Sequence, residues 1–275
     1  MRTVFEILPS SFEEEKCVLL CEVSNEGFSF CIKEEETNLF LGVAIYHYDK
    51  SKPAVGFAID LQIIFHQKEI LAKKFKKVCV VFSNPESVLV PSSIYQKEKC
   101  AGILNLMCGD LNDQELIFTD LINGQQLYNC YRIPGPTYEM VQDQFPQSKS
   151  VHQYSMLLSN PSLADNQMSV IFNSQKIIVS LIKDNKYQLV NSFNYEAPED
   201  VSYILLNICH QFDLPGIPLK LHGLIEEKSS LYNEIFKYFE KIEFASYPDG
   251  SHFSEEILKY PAHYFSYLFA IAECE

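Results

Sequence analysis

Nine cysteines are the first residues with chemistry to offer in this 275-residue chain. Thiolates ligate metals, attack electrophilic carbon and carry redox change. No Cys-x-x-Cys pair occurs, and no cysteine stands at metal-ligand spacing. Cys17, Cys21 and Cys31 share an N-terminal strand region, and Cys17 and Cys21 lie on one face of a strand. They read as small buried hydrophobes in a reducing compartment. A Cys–His pair is a spatial arrangement, which spacing does not reveal. Lys68, Lys73, Lys74, Lys76 and Lys77 gather at a predicted helix end and read as its solvated cap. The acidic runs 13–15 and 34–36 read as loops or charged strand edges. Gly-x-Ser-x-Gly, His-Glu-x-x-His and Walker patterns are absent.

Charge narrows the partners. Lys and Arg number 22 and Asp and Glu 36, a formal net charge of −14. An acidic surface of that size repels phosphate backbones and anionic lipid, which argues against nucleic-acid and membrane-surface partners. Apolar residues make up 47% and charged residues 21%, the composition of a folded globular chain. The start lacks the apolar core of a signal peptide. The apolar stretches 203–209 and 264–272 are far shorter than the roughly 18–20 residues that span a bilayer. These features predict a cytoplasmic protein.

Positioning elements follow from periodicity and turn residues. Residues 18–23 and 28–33 form two strands around Ser24-Asn25-Glu26-Gly27, and 39–48 a third. A helix covers 56–75, with strands at 77–82 and 88–91. Ser92 or Ser93 caps a short helix toward Cys100. Residues 115–122 and 126–133 form a hairpin around Asn123-Gly124, and 137–145 is helical. The pattern then restarts: strands at 167–172, 177–183 and 187–193, with a helix at 197–212 opened by Pro198, Glu199 and Asp200. A strand at 218–222 breaks at Gly223, and helices follow at 228–239 and 261–274. Hairpin, third strand, long helix and strand thus occur twice in the same order, without sequence identity between the halves. Two α/β halves with a cleft between them follow, and such clefts are the usual place for a ligand.

The chain resembles an uncharacterised bacterial family, domain of unknown function 3822. Gly27-Phe28-Ser29-Phe30, Leu89-Val90-Pro91, Asn191-Ser192-Phe193-Asn194-Tyr195, Glu199-Asp200-Val201-Ser202-Tyr203 and Gly223 carry the resemblance. It runs from about residue 16 to residue 239. It implies a duplicated actin-like ATPase (ribonuclease H-like) α/β fold: an N-terminal lobe at 1–150 and a C-terminal lobe at 151–275, each with a mixed sheet, and a central cleft. In that superfold two acid-led, glycine-rich hairpins hold the phosphates of ATP, with Mg²⁺, and a strand followed by glycines holds the adenosine.

The candidate nucleotide residues that the resemblance implies are Glu22, Ser24, Asn25, Gly27, Asn173, Ser174 and Gly223. Glu22 takes the acidic position and Ser24 stands for the first glycine. Glu26 adds a carboxylate to the loop. Two like charges 4 Å apart repel by about 4 kcal/mol at an effective dielectric of about 20. In the second hairpin Ile171 falls at the acidic position and Asn173-Ser174-Gln175 replace the glycines. Lys176 could contact an anion but reads by default as an exposed turn lysine, and His222 could stack on a base but reads rather as a histidine closing a buried strand. ATP and Mg²⁺ are therefore not favoured as cofactors, no residue is assigned to catalysis or metal binding, and the expected role is a non-catalytic scaffold or regulatory protein with a protein partner or a second copy. The alternative is a nucleotide-binding protein or ATPase with atypical loops.

Overall fold

The computed structural model describes residues 2–48, 54–110, 114–122, 124–159 and 166–274. Asn123, half of the Asn-Gly turn signal, lies outside them. The chain divides into two compact units: 1–159 with 250–257 and 271–275, and 160–249 with 258–270.

The first unit is built on a mixed sheet. Its strands are β1 (Arg2–Ile7), β2 (Cys17–Ser24), β3 (Gly27–Glu34), β4 (Leu39–His47) and β5 (Lys77–Ser83). β2, β3 and β4 form an antiparallel meander, and β5 returns parallel to β2 through the helix α1 (Ala54–Gln67). A three-stranded sheet is inserted after β5: β6 (Ser87–Pro91), β7 (Glu115–Ile122) and β8 (Leu127–Pro134), with β8 in the middle. The helix α2 (Cys100–Cys108) lies in this insertion, and α3 (Gly135–Gln144) leads out of it. β9 (Lys149–His152) then joins β5 in parallel, followed by α4 (Gln153–Ser159). β2 reads Cys-Val-Leu-Leu-Cys-Glu-Val because it is central and covered on both faces. Cys17, Leu19, Cys21 and Val23 share one face, in the core with Leu61, Ile64 and Phe65 of α1 and Val141 of α3.

The second unit repeats the plan. β10 (Gln167–Phe172), β11 (Lys176–Lys183) and β12 (Lys186–Asn194) form the meander. The helix α5 (Pro198–Gln211) leads to β13 (Leu219–Gly223), parallel to β10, and α6 (Ser230–Phe236) to β14 (Ile242–Phe244), parallel to β13. The order β12-β11-β10-β13-β14 matches β4-β3-β2-β5-β9 place for place. Val201, Leu205 and Ile208 of α5 lie in this unit's own core with Ile235 and Phe239. At the start of α5 the Asp200 carboxylate accepts the N–H groups of Glu196 and Ala197, both at 2.9 Å. Those bonds hold its pKa down.

Five expectations need correction. The helix expected from Ser92 or Ser93 toward Cys100 instead starts at Cys100 as α2, after a 3-10 turn at Lys97–Lys99 and with Lys99 at its N-cap. β1 was not anticipated, because it is a short, half-exposed edge strand paired only with β4. The helix expected over 56–75 is α1 and then a separate 3-10 turn, Glu69–Ala72. The helix expected over 228–239 is the shorter α6. The C-terminal helix expected over 261–274 is instead a chain of short turns around α7 (Ser266–Phe269). Its rings are held by distant partners: His263 packs at a tilt against Phe244, with ring centroids 4.3 Å apart, and Phe269 packs on Tyr247 at 6.1 Å. That tertiary docking outweighs helical propensity.

The basic cluster finds acidic partners. Lys68 pairs with Glu6, Lys73 with Glu14 at 3.1 Å, and Lys76 and Lys77 with Glu35. Hydrogen bonds from Lys76 and Lys77 pull Glu35 down to about 2. Among the described residues no helix is long and apolar enough to cross a membrane.

Candidate functional site

In a parallel β-α-β unit the strand ends leave a crevice at their carboxyl side, the usual ligand position. Here β2 ends at Ser24, and its neighbour β5 runs into Asn84-Pro85-Glu86. These residues line a cavity of about 170 Å³ together with Asn25, Phe57, Glu115, Arg132, Pro134 and Thr137.

The turn beside this cavity is closed on itself. Ser24 Oγ accepts the backbone N–H groups of Glu26 and Gly27, both at 3.1 Å, and donates to the Gly27 carbonyl at 3.3 Å. This is the turn chemistry that serine brings to position 24. Asn25 is exposed at the tip. One Glu26 carboxylate oxygen is buried with no hydrogen-bond partner. Gly27 is a glycine for packing: a Cβ there would lie 2.1 Å from the Tyr46 carbonyl oxygen. Glu22 is buried in the strand, where Oε1 accepts from Gln153 Nε2 at 3.2 Å, and Gln153 Oε1 accepts from Ser83 Oγ.

Arg132, from the middle strand of the inserted sheet, is the functional group that sequence reading passed over. It is only 2% exposed. Its Nη2 donates to Asn105 Oδ1 at 2.6 Å and to the Gly109 carbonyl at 2.9 Å. Its Nη1 faces Glu86 at 3.5 Å and Glu115 at 3.9 Å. Its Nε is buried without a partner. Two carboxylates therefore share one guanidinium. Burial first, then the Glu115 charge, raises the Glu86 pKa, and Arg132 opposes that.

His152 lies beside this region but is fully occupied. Its Nε2 meets the Asn84 carbonyl at 2.8 Å and its Nδ1 accepts from the Tyr154 N–H at 3.1 Å. Among the described residues no three His, Cys, Asp or Glu side chains gather to hold a metal ion.

In the second unit the corresponding residues also lie at adjacent strand ends. Asn173 and Ser174 turn from β10 into β11, with the Asn173 N–H on the Lys176 carbonyl at 2.9 Å. Lys176 is buried, only 2% exposed, whereas sequence reading placed it in an open turn. Gly223 pairs with Phe172. Its φ is +83°, and a Cβ would sit 2.3 Å from the Phe172 carbonyl oxygen, so the strand pair itself demands glycine. His222 Nδ1 meets Ser266 Oγ at 2.9 Å. Burial, with Lys220 and His263 nearby, lowers it to about 3, leaving a neutral ring that closes the strand as expected.

A model of the DUF3822 family, a protein of unknown function, matches residues 10–242. The chain belongs to this family. No curated protein matches it. Among solved structures, this DUF3822 protein is similar to a Bacteroides thetaiotaomicron protein with an actin-like ATPase fold and unknown function: TM-score 0.75 and 19% identity, over 95% of this chain and 97% of that one. It is also similar to a chain of the PilM–PilN type IV pilus biogenesis complex, with TM-score 0.63 and 8% identity, over 94% of this chain and 98% of that one. The DUF3822 protein therefore has the actin-like ATPase fold, as its resemblance implied. A fold at such identities does not carry an activity.

Proposed function

We propose that this DUF3822 protein uses the actin-like fold without nucleotide hydrolysis, as a cytoplasmic scaffold or regulatory subunit that holds a protein partner. The observation that carries this reading is the closed turn after β2. Ser24 Oγ occupies the N–H groups of Glu26 and Gly27, the backbone donors that a phosphate would need there. A phosphate entering the cavity would also meet Glu86 and Glu115, two carboxylates against the single guanidinium of Arg132, which is already bonded to Asn105 and Gly109. One like charge left uncompensated near 4 Å costs about 4 kcal/mol at an effective dielectric of about 20. That is as large as the whole binding free energy of a millimolar ligand, about 4.1 kcal/mol. The residues of this cavity do not fit ATP with Mg²⁺.

Two further features support a protein partner. Large apolar side chains stand in solvent on the packed helices of the second unit: Tyr203 at 71% exposure on α5, with Phe236 at 58% and Tyr238 at 52% at the end of α6. Aromatic residues are enriched in protein–protein interfaces. The PilM–PilN neighbour is itself described as a complex.

The thermal midpoint with and without millimolar Mg-ATP tests the reading, with ADP and GTP as companions. A ligand at 100 times its Kd stabilises by about 2.7 kcal/mol. In a chain of this size that raises the midpoint by roughly 5 °C or more. We expect no shift with any of the three. A shift of that size would overturn the proposal and restore a nucleotide-binding protein. Ser24→Gly, which frees the two turn N–H groups, is expected to leave the midpoint equally insensitive to Mg-ATP while Glu86 and Glu115 remain.

A further inference from the structure

The inserted sheet carries a second constellation that the cavity does not use. Cys100 opens α2, Cys130 sits within β8, and their Sγ atoms lie 2.9 Å apart. Both side chains are buried, in a small core shared with Val90 and Leu104. Both are free thiols. A disulfide holds its sulfur atoms at about 2.05 Å. Bond formation therefore needs less than one further ångström of approach from side chains that already meet. Thirty positions of sequence separate the two, so spacing gave no sign of the pair. They belong to different elements, and closing the bond would tie the first turn of α2 to the middle strand of the sheet beneath it.

We propose that Cys100 and Cys130 form an oxidisable dithiol, a modification site converted to an intramolecular disulfide by small disulfides of the glutathione class. The Cys100 thiolate attacks the reagent disulfide, forming a mixed disulfide and expelling one reagent thiolate. The Cys130 thiolate then attacks the Cys100 sulfur of that mixed disulfide, closing the protein bond and expelling the second reagent thiolate. The protein gives up two electrons and two protons, and the reagent becomes two thiols. Cys100 goes first because it is the more readily uncovered: the residues just before it, Lys97–Lys99, form an exposed 3-10 turn. Fraying of that helix start exposes Cys100 while Cys130 stays in the strand. Burial first, then the contact with Cys100, pushes the Cys130 thiol up to about 12. The pair is thus slow to react while α2 is seated, and its oxidation follows the opening of the helix start.

The test uses the full chain in its native buffer, with oxidised glutathione in large excess over reduced glutathione, followed by alkylation, digestion and mass spectrometry. A peptide linking Cys100 to Cys130, lighter by two hydrogens than the separate thiols and split by dithiothreitol, is expected. Cys130→Ser should then hold a stable glutathione adduct on Cys100. Recovery of both wild-type cysteines as alkylated thiols overturns the proposal, as does either one linked to a different cysteine. The wild-type measurement stands on its own should the variant fail to fold.

Discussion

Gly223→Ala is expected to destabilise the folded protein by about 3 kcal/mol or more, read as a drop in the urea midpoint at unchanged slope. Two costs meet at this residue. The backbone is left-handed, at φ +83°, and an L-residue there loses about 1–2 kcal/mol. The new methyl would also stand 2.3 Å from the Phe172 carbonyl oxygen, 2.9 Å from its nitrogen and 3.0 Å from its carbonyl carbon. These are backbone atoms of the adjacent parallel strand, so no rotamer relieves the contact. β13 would have to part from β10, and overpacking of this kind adds about 1–3 kcal/mol. Gly216→Ala is the matched control. Its φ is +68°, yet nothing lies within 4 Å of the added carbon. It should show the conformational cost alone, about 1–2 kcal/mol. Equal losses at the two positions would refute the steric account. Gly223 would then be open to a ligand-binding explanation, which the strand contact makes unnecessary.

The same glycine shows what a sequence can and cannot convey. Gly223 was visible as a break after a strand, and its place at the strand end was correct. Its reason was not visible, because the atom it must avoid belongs to Phe172, in another strand of the sheet. The repeated meanders were legible for a local reason: Ser24-Asn25-Glu26-Gly27 and Asn173-Ser174-Gln175 are the polar and glycine residues that turns favour, set between apolar runs. α5 was legible through Pro198, Asp200 and one apolar stripe. β1 escaped because an edge strand buries too little for its pattern to speak. The C-terminal turns escaped because their rings answer to Phe244 and Tyr247, far away in sequence, as well as to one another. The cavity was half legible. Ser24 and Asn25 were singled out as turn residues, whereas Glu86, Glu115 and Arg132 are ordinary surface types one at a time. Only the fold joins a loop after β5, the start of β7 and the middle of β8 around one buried guanidinium.

That guanidinium carries the second large effect. Arg132→Met is expected to cost about 1–3 kcal/mol of stability, the range for leaving buried hydrogen-bonding groups unsatisfied, because Glu86 is itself 38% exposed and water can screen its charge. Methionine fills most of the space but leaves Glu86 and Glu115 facing each other without a counter-charge, and strands the Asn105 and Gly109 acceptors. The pH dependence separates charge from packing. The Glu86 carboxyl is already raised in the folded state, by burial and by Glu115. A carboxyl raised on folding favours the folded state while it is protonated, and that contribution is lost as pH rises through its folded value. Removal of Arg132 raises it further, since Arg132 is the group that opposes the shift. The deficit of Arg132→Met relative to wild type should therefore be smaller at pH 5 than at pH 7.5. Arg132→Met combined with Glu86→Gln should regain part of the loss at pH 7.5, with a flatter pH profile than the single variant. A deficit that is constant with pH, and unrelieved by Glu86→Gln, would show that Arg132 acts through its volume and its bonds to Asn105 and Gly109. Glu86 and Glu115 would then not be a coupled acidic pair, and the electrostatic part of the case against phosphate binding would fall with them, leaving only the closed Ser24 turn to support it.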